Sequence, residues 1–208
     1  MHADRHDDGF PLAILAKAPV PGRVKTRLTP TFAPEAAARL HEALLRQTLA
    51  VALAATPAHR IVLWTGLEHD HSLFVEFAEP HGIGLRPQPE GDLGLRMFTA
   101  LEAMGAPGLL VGSDCPVLTA QLLANCHAAL AHHDGVLLPA EDGGYALVGL
   151  RKPRQAFFTD IDWGSDQVLA QTLARADSLG WRIAQPAKVW DVDRPADVAR
   201  WQGQDTSS

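Results

Sequence analysis

Short apolar runs, broken at glycine or proline and alternating with longer helix-forming segments, constrain this chain more than any other feature. The first run, residues 12–16 (LAILA), stops just before Pro19, Pro21 and Gly22 and is expected to be a buried strand. Residues 34–55 are rich in helix formers and carry Leu40, Leu44, Leu45 and Leu49 along one side. The same alternation predicts strands at 61–65, 83–86, 108–112, 135–138 and 145–150, with one or two more within 182–190. Helices are expected at 72–78, at 93–104, from a cap at Thr119 to about 132, at 166–179, and from Pro195 onward. Strands alternating with helices in this way imply an α/β fold with a mostly parallel, three-layer sheet. Ligands of such sheets sit at the carboxyl ends of the strands, so chemistry is expected in the segments that directly follow them.

The length of 208 residues suits one domain, expected at 11–202 between flexible ends at 1–10 and 203–208. A net charge of −6 argues against a nucleic-acid partner. No apolar run approaches the roughly 18 residues that a membrane span needs. The first ten residues, MHADRHDDGF, lack the apolar core of a signal peptide, and the two cysteines, Cys115 and Cys126, make no disulfide framework. A cytoplasmic location is expected, with both thiols acting as small hydrophobes.

Against the acidic background, residues 17–27 (KAPVPGRVKTR) hold Lys17, Arg23, Lys25 and Arg27 and no acid, although the chain has only four lysines in all. Prolines and Gly22 turn the backbone so that amides and cations can converge on an anion, and a phosphate chain is the natural occupant. Neither GxxxxGK[ST] nor GxGxxG is present, which removes the Walker and dinucleotide classes.

Acids stand at two further strand ends. Asp114, in LVGSDCP, is expected at the tip of a central strand that Pro116 terminates. Asp191 and Asp193 follow the strand expected within 182–190, where alternate residues point the same way; Asp193 also suits a cap on the last helix. Asp114 with one of this pair meets the needs of Mg²⁺ or Mn²⁺, which take few carboxylates and fill their shells with water and phosphate oxygens. Between these points, Gly91-Asp92-Leu93-Gly94 opens a helix whose amides can receive a nucleotide or its ribose. The segment PAEDGGY offers Glu141 and Asp142 as acceptors beside Gly143 and Gly144. Trp163 can stack on a ligand or close the core. The histidines of His69-Asp70-His71 and His132-His133-Asp134 lack metal-site spacing and are read as surface residues.

Assembled, AKAPVPGRVKTRL (16–28), GDLGLRM (91–97), GSDCPVLT (112–119), PAEDGGYALVGL (139–150), DWG (162–164) and DVDRPADV (191–198) resemble the GT-A-like nucleotide-diphospho-sugar transferase superfamily. Within it the chain is similar to the bacterial family known as arsenosugar-biosynthesis-type glycosyltransferases, in the same motif order over residues 11–200. KTRL and DVDRPAD are more distantly similar to phospholactate and molybdenum-cofactor guanylyltransferases. The chain departs from these patterns in lacking a GGxSxRMG-like loop and in carrying SDCP where a full DxD would stand.

The resemblance implies a Rossmann-like sheet, with nucleotide over its first half and acceptor over its second. It matches the loop at 16–27 to the nucleotide phosphates and Asp114 to the divalent ion; with the residue readings above, Ala16, Lys17, Ala18, Pro19, Gly22, Arg23, Lys25, Arg27, Gly94 and Ser113 are expected at the nucleotide. Glu141, Asp142, Gly143, Gly144, Tyr145 and Trp163 fall to the acceptor, and Asp114, Asp191 and Asp193 to the cation. The expected activity is metal-dependent glycosyl transfer from a nucleotide-sugar to a small acceptor, with Asp114, Asp142 and Lys25 as the catalytic groups. Nucleotidyl transfer from an NTP to a phosphorylated small molecule is the alternative, and a nucleotide-binding protein without turnover the third.

Overall fold

The computed structural model describes residues 9–205. Strands β1 (Leu12–Lys17), β2 (Ile61–Gly66), β3 (Gly84–Pro87), β4 (Gly108–Val111), β5 (Gly135–Pro139), β6 (Tyr145–Leu150) and β7 (Ile183–Ala184) form one sheet in the order β3-β2-β1-β4-β6-β5-β7. Helices α1 (Pro34–Ala55), α2 (Ser72–His81), α3 (Leu93–Glu102), α4 (Ala120–Ala129), α5 (Val168–Ser178) and α6 (Pro195–Asp205) cover it. Pairings β1–β2, β1–β4, β2–β3 and β5–β7 are parallel, while β6 runs antiparallel to both β4 and β5.

The three layers follow from strand alternation. Leu12 and Ile14 of β1 point into a core with Leu45 and Leu49 of α1, Phe74 of α2 and Leu123 of α4. Ala13 points the other way, into a core with Met97 and Leu101 of α3, Ala176 of α5, and Phe157 from the short helical turn Gln155–Phe158. A residue on one side of a pleated strand cannot reach the opposite layer, so this alternation decides which helices each strand meets. Both cysteines are buried, and burial pushes their thiols up, to about 12 for Cys115 and about 11 for Cys126, so both stay protonated.

A third cluster positions the site. Leu28 packs with Ala37 and Leu44 of α1, with Trp190 and Val192, and with Val198 of α6. It pins the loop after β1 against the segment that leads into α6. The strand expected within 182–190 is confined to Ile183–Ala184 plus an isolated bridge between Ala140 and Val189. Pro186 lacks a donor and stops the pairing between them. Asp191 and Asp193 therefore leave no regular strand, and their placement rests on this cluster.

Most of the two flexible ends expected from the sequence, residues 1–8 and 206–208, lies outside the described residues. At their inner margins that expectation is corrected. Phe10 is buried, its amide held by the Thr56 hydroxyl, and 203–205 continue α6. Among the described residues no helix is long and apolar enough to cross a membrane.

Leu28→Ala tests the pinning cluster. Deleting this fully buried side chain is expected to cost about 2–5 kcal/mol, read as a lowered urea midpoint with an unchanged slope. Wild-type stability would show that the cluster does not hold the loop.

Candidate functional site

Beyond β1 the chain makes tight turns, with Ala18 N–H bonded to the Gly66 carbonyl, Val20 to Ala18 and Arg23 to Val20. Gly22 takes a φ of 74°, which L side chains rarely adopt. Ala18, Val24 and Leu28 turn inward and are buried, leaving Lys17, Arg23 and Arg27 on the outer face. Lys25 breaks this division. Its φ of 50° puts a non-glycine residue in the left-handed region, a strain of about 1–3 kcal/mol that the surroundings must offset. The twist sends its side chain inward, where Nζ lies 2.8 Å from Asp114 Oδ1 and donates to the Val192 carbonyl at 2.5 Å. That side chain is only 4% exposed, so Lys25 is a bound structural cation rather than the free one its sequence position suggests.

Asp114 follows β4 and retains 47% of its side-chain exposure, opening into a cavity of about 490 Å³. Burial works against its ionisation. The Lys25 ammonium, 2.8 Å away and with the His41 ring also facing Oδ1, outweighs that effect and holds the carboxyl well below the usual range. Ser113 is buried, with Oγ 3.5 Å from the same Oδ1. Lys17 and Arg23 line the cavity, and among the described residues no acid pairs with either. Arg96 of α3 joins them with its Nε buried and unpartnered.

A second cavity of about 340 Å³ adjoins the first, sharing Arg27, Leu93, Met97, Tyr145 and Asp193 with it. Asp142, Asp166, Asp191 and Asp193 line this second cavity, against Arg27 and Arg194. Arg27 Nη1 bonds Asp193 Oδ2 at 2.6 Å across the waist between the two. Asp193 does not cap α6. That task falls to Asp197, which accepts the amides of Asp193 and Arg194. Burial, then the charges of Asp114 and Asp142, push the Asp191 carboxyl up to about 7. Carboxylate oxygens are hard donors of the kind that fit Mg²⁺ or Mn²⁺. Among the described residues no group of three or more His, Cys, Asp or Glu is gathered for a metal, so any cation here would draw most of its shell from water and substrate.

Several expected contacts fall elsewhere. Ala16 lines the larger cavity, but Ala18, Pro19 and Gly22 shape the loop without lining either one. Asp92 caps α3 by accepting the Leu95 amide, as its position predicts. Gly94, however, packs against the chain itself: a Cβ there would lie 2.7 Å from the Phe158 carbonyl and 2.8 Å from the Trp163 ring. Gly143 likewise meets the Asp166 backbone, with 2.1 Å left for a Cβ. Glu141 lines neither cavity and instead takes a two-point contact from Arg200, which also lies 4.1 Å over the Trp190 ring. Asp142, Gly144, Tyr145 and Trp163 do line the second cavity. Burial raises the Tyr145 phenol above its ordinary value, which keeps it from proton transfer near neutrality.

Sequence reasoning missed His41, Gln88 and Arg96. His41 was visible as a polar residue on the apolar face of α1, between Ala37/Ala38 and Leu44/Leu45. Gln88 had no signal beyond its place after β3; its Nε2 donates to the carbonyls of Ala16 and Trp64.

Asp191 yields a pH test. A carboxyl at about 7 when folded and near 3.8 when unfolded binds more protons in the native state, so stability falls as pH rises through that window. With EDTA present, the melting temperature is expected to drop by several degrees between pH 5 and pH 8, and Asp191→Asn should flatten the drop. A variant with the wild-type slope would show that another group governs it.

The family model described as "uncharacterized protein conserved in bacteria" (DUF2064) matches residues 48–165. No curated protein matches the sequence. A structure from Desulfovibrio desulfuricans G20, provisionally described as a nucleotide-diphospho-sugar transferase, superposes with a TM-score of 0.81 at 26% identity, covering 94% of this chain and 88% of that one. The 4-diphosphocytidyl-2C-methyl-D-erythritol synthase of Anaerococcus prevotii gives a TM-score of 0.60 at 12% identity, over 96% and 100% of the two chains. Molybdopterin-guanine dinucleotide biosynthesis protein A of Archaeoglobus fulgidus gives 0.55 at 11%, over 94% and 100%. At such identities the last two show the fold alone. The chain thus belongs to the bacterial family DUF2064 and has the α/β fold of the nucleotide-diphospho-sugar transferases.

Proposed function

We propose that this chain is a transferase that holds a nucleotide-sugar in the larger cavity and passes the sugar to a small acceptor in the adjoining one. The observation that carries this reading is the pair of adjoining cavities, with Lys17 and Arg23, which no described acid pairs, in the first and a carboxylate-rich wall in the second. Fixed cations beside a diphosphate stabilise the charge that grows on it as it departs, usually a large share of catalysis. A divalent cation between Asp114 and Asp191, Mg²⁺ or Mn²⁺, would supply further Lewis-acid stabilisation of that diphosphate.

In this scheme an acceptor hydroxyl attacks the anomeric carbon, the bond from that carbon to the diphosphate oxygen breaks, and the hydroxyl proton passes to Asp142. Asp142 suits that part because its Oδ1 accepts the Gly144 amide, which orients the carboxylate at the edge of the second cavity. Lys25 acts from beneath, holding Asp114 in place.

Nucleotidyl transfer is the second reading. It is favoured by Lys17, Arg23 and Arg96, whose combined charge suits a triphosphate, and the fold is shared with nucleotidyltransferases. Against it, a phosphorylated acceptor would enter a cavity lined by Asp142, Asp166, Asp191 and Asp193. Product analysis with labelled nucleotide separates the two: nucleoside diphosphate release is expected, whereas pyrophosphate release would overturn glycosyl transfer. Asp142→Asn should lower turnover by about 10²- to 10⁴-fold with little change in donor KM. Asp114→Asn should abolish the Mg²⁺ dependence of nucleotide binding, measured by calorimetry; retained dependence would remove Asp114 from the cation site.

A further inference from the structure

We propose that the transferred sugar is a pyranose without an acid group, a hexose or pentose rather than a uronic acid, and that Leu93 selects it by packing on its C–H face where the two cavities meet. The inference rests on the glycosyl-transfer reading above.

In that reading the anomeric carbon is reached from both sides, since its bond to the donor lies in one cavity and its bond to the acceptor forms in the other. The sugar therefore stands among residues that line both. Arg27, Leu93, Met97, Tyr145 and Asp193 are those residues, and they divide by chemistry. Leu93 and Met97 lie four apart on α3 and so share a face of the helix. Tyr145 starts β6 with its hydroxyl buried, so the part of its side chain left for the cavities is ring carbon. Arg27 and Asp193 supply the polar part, and their contact at 2.6 Å leaves it without net charge.

Three large apolar side chains stand exposed among the described residues, Leu67, Val75 and Leu93, and of these only Leu93 lines either cavity. At 43% exposure it offers carbon surface that a ligand can cover, whereas Met97 is buried.

A pyranose carries both characters, with C–H groups gathered on a face and hydroxyls around the rim. The face suits Leu93. The hydroxyls can donate to the Asp193 carboxylate and accept from Arg27, whose guanidinium has donors beyond the one in the pair. A uronate would bring its carboxylate to an Arg27 that Asp193 already neutralises, beside a cavity lined by Asp142, Asp166 and Asp191.

ADP, CDP, GDP, UDP and dTDP and their glucose conjugates serve as probes, titrated by calorimetry with Mg²⁺ present. The pair that the wild-type protein binds most tightly is then compared with the glucuronate counterpart of its conjugate. The glucose conjugate is expected to bind about tenfold or more tighter than the glucuronate one. An apolar contact of methylene size already discriminates by about 10–200-fold, so Leu93→Ser is expected to weaken the glucose conjugate about tenfold, with the nucleoside diphosphate within about twofold of wild type. Leu93→Met is expected to restore the affinity. Leu93 is exposed at the start of α3, so both variants should keep the wild-type melting temperature. Equal affinity for the glucose and glucuronate conjugates would overturn the sugar class. An equal loss for nucleoside diphosphate and conjugate in Leu93→Ser, or no loss for either, would overturn the role of Leu93. Failure of the wild-type protein to bind any of these probes would instead sink the nucleotide-sugar reading, and this inference with it.

Discussion

The ion pair between Lys25 and Asp114 is the contact on which the rest of the site depends. A buried ammonium needs a partner, because a charge left alone in the interior costs several kcal/mol or more. Lys25 finds two, the Asp114 carboxylate and the Val192 carbonyl, and each comes from a different part of the chain. The Val192 amide in turn donates to the Asp114 carbonyl. One side chain thereby joins the loop after β1, the tip of β4 and the segment that carries Asp191 and Asp193. Apolar packing around Leu28, Trp190 and Val192 brings these segments near one another, and the ion pair fixes their alignment. The left-handed backbone at Lys25 is where that alignment is paid for.

This also explains how a chain rich in acids presents a basic cavity. Of the four cations in the loop, Lys25 is absorbed by Asp114 and Arg27 by Asp193. Lys17 and Arg23 remain, and Arg96 adds a third from α3. The acids are sorted in the same way. Asp114 is compensated and stays ionised, whereas Asp191 is held by burial and by the charges of Asp114 and Asp142, which push its carboxyl up to about 7. Two carboxylates of the same chemical type are thus set apart by whether a cation offsets their burial.

The fold was largely legible in the sequence because its evidence is local. Periodicity placed α1 at 34–55, where the helix lies, and β6 at 145–150. The basic loop and Asp114 were legible for a related reason, since charge clustering and strand ends are visible in one dimension. What escaped depends on partners far along the chain. Glu141 looks like a ligand group until Arg200, 59 residues away, is seen to hold it. Gly94 and Gly143 look like openings for a substrate, but the Trp163 ring and the Asp166 backbone fill the space that a side chain would need. Lys25 could not be told from Lys17 without its backbone angle. His41 carried a faint signal, an imidazole among alanines and leucines, which only the carbonyl of Lys17 turns into a meaning.

The bond between Arg27 and Asp193 crosses the waist between the cavities while both side chains keep much of their contact with water. Exposed pairs of this kind are weak and are screened by salt. Both residues line both cavities, so the boundary between the chambers includes a contact that water and ions can reach. That contact between the chambers therefore weakens as the ionic strength of the surrounding solution rises.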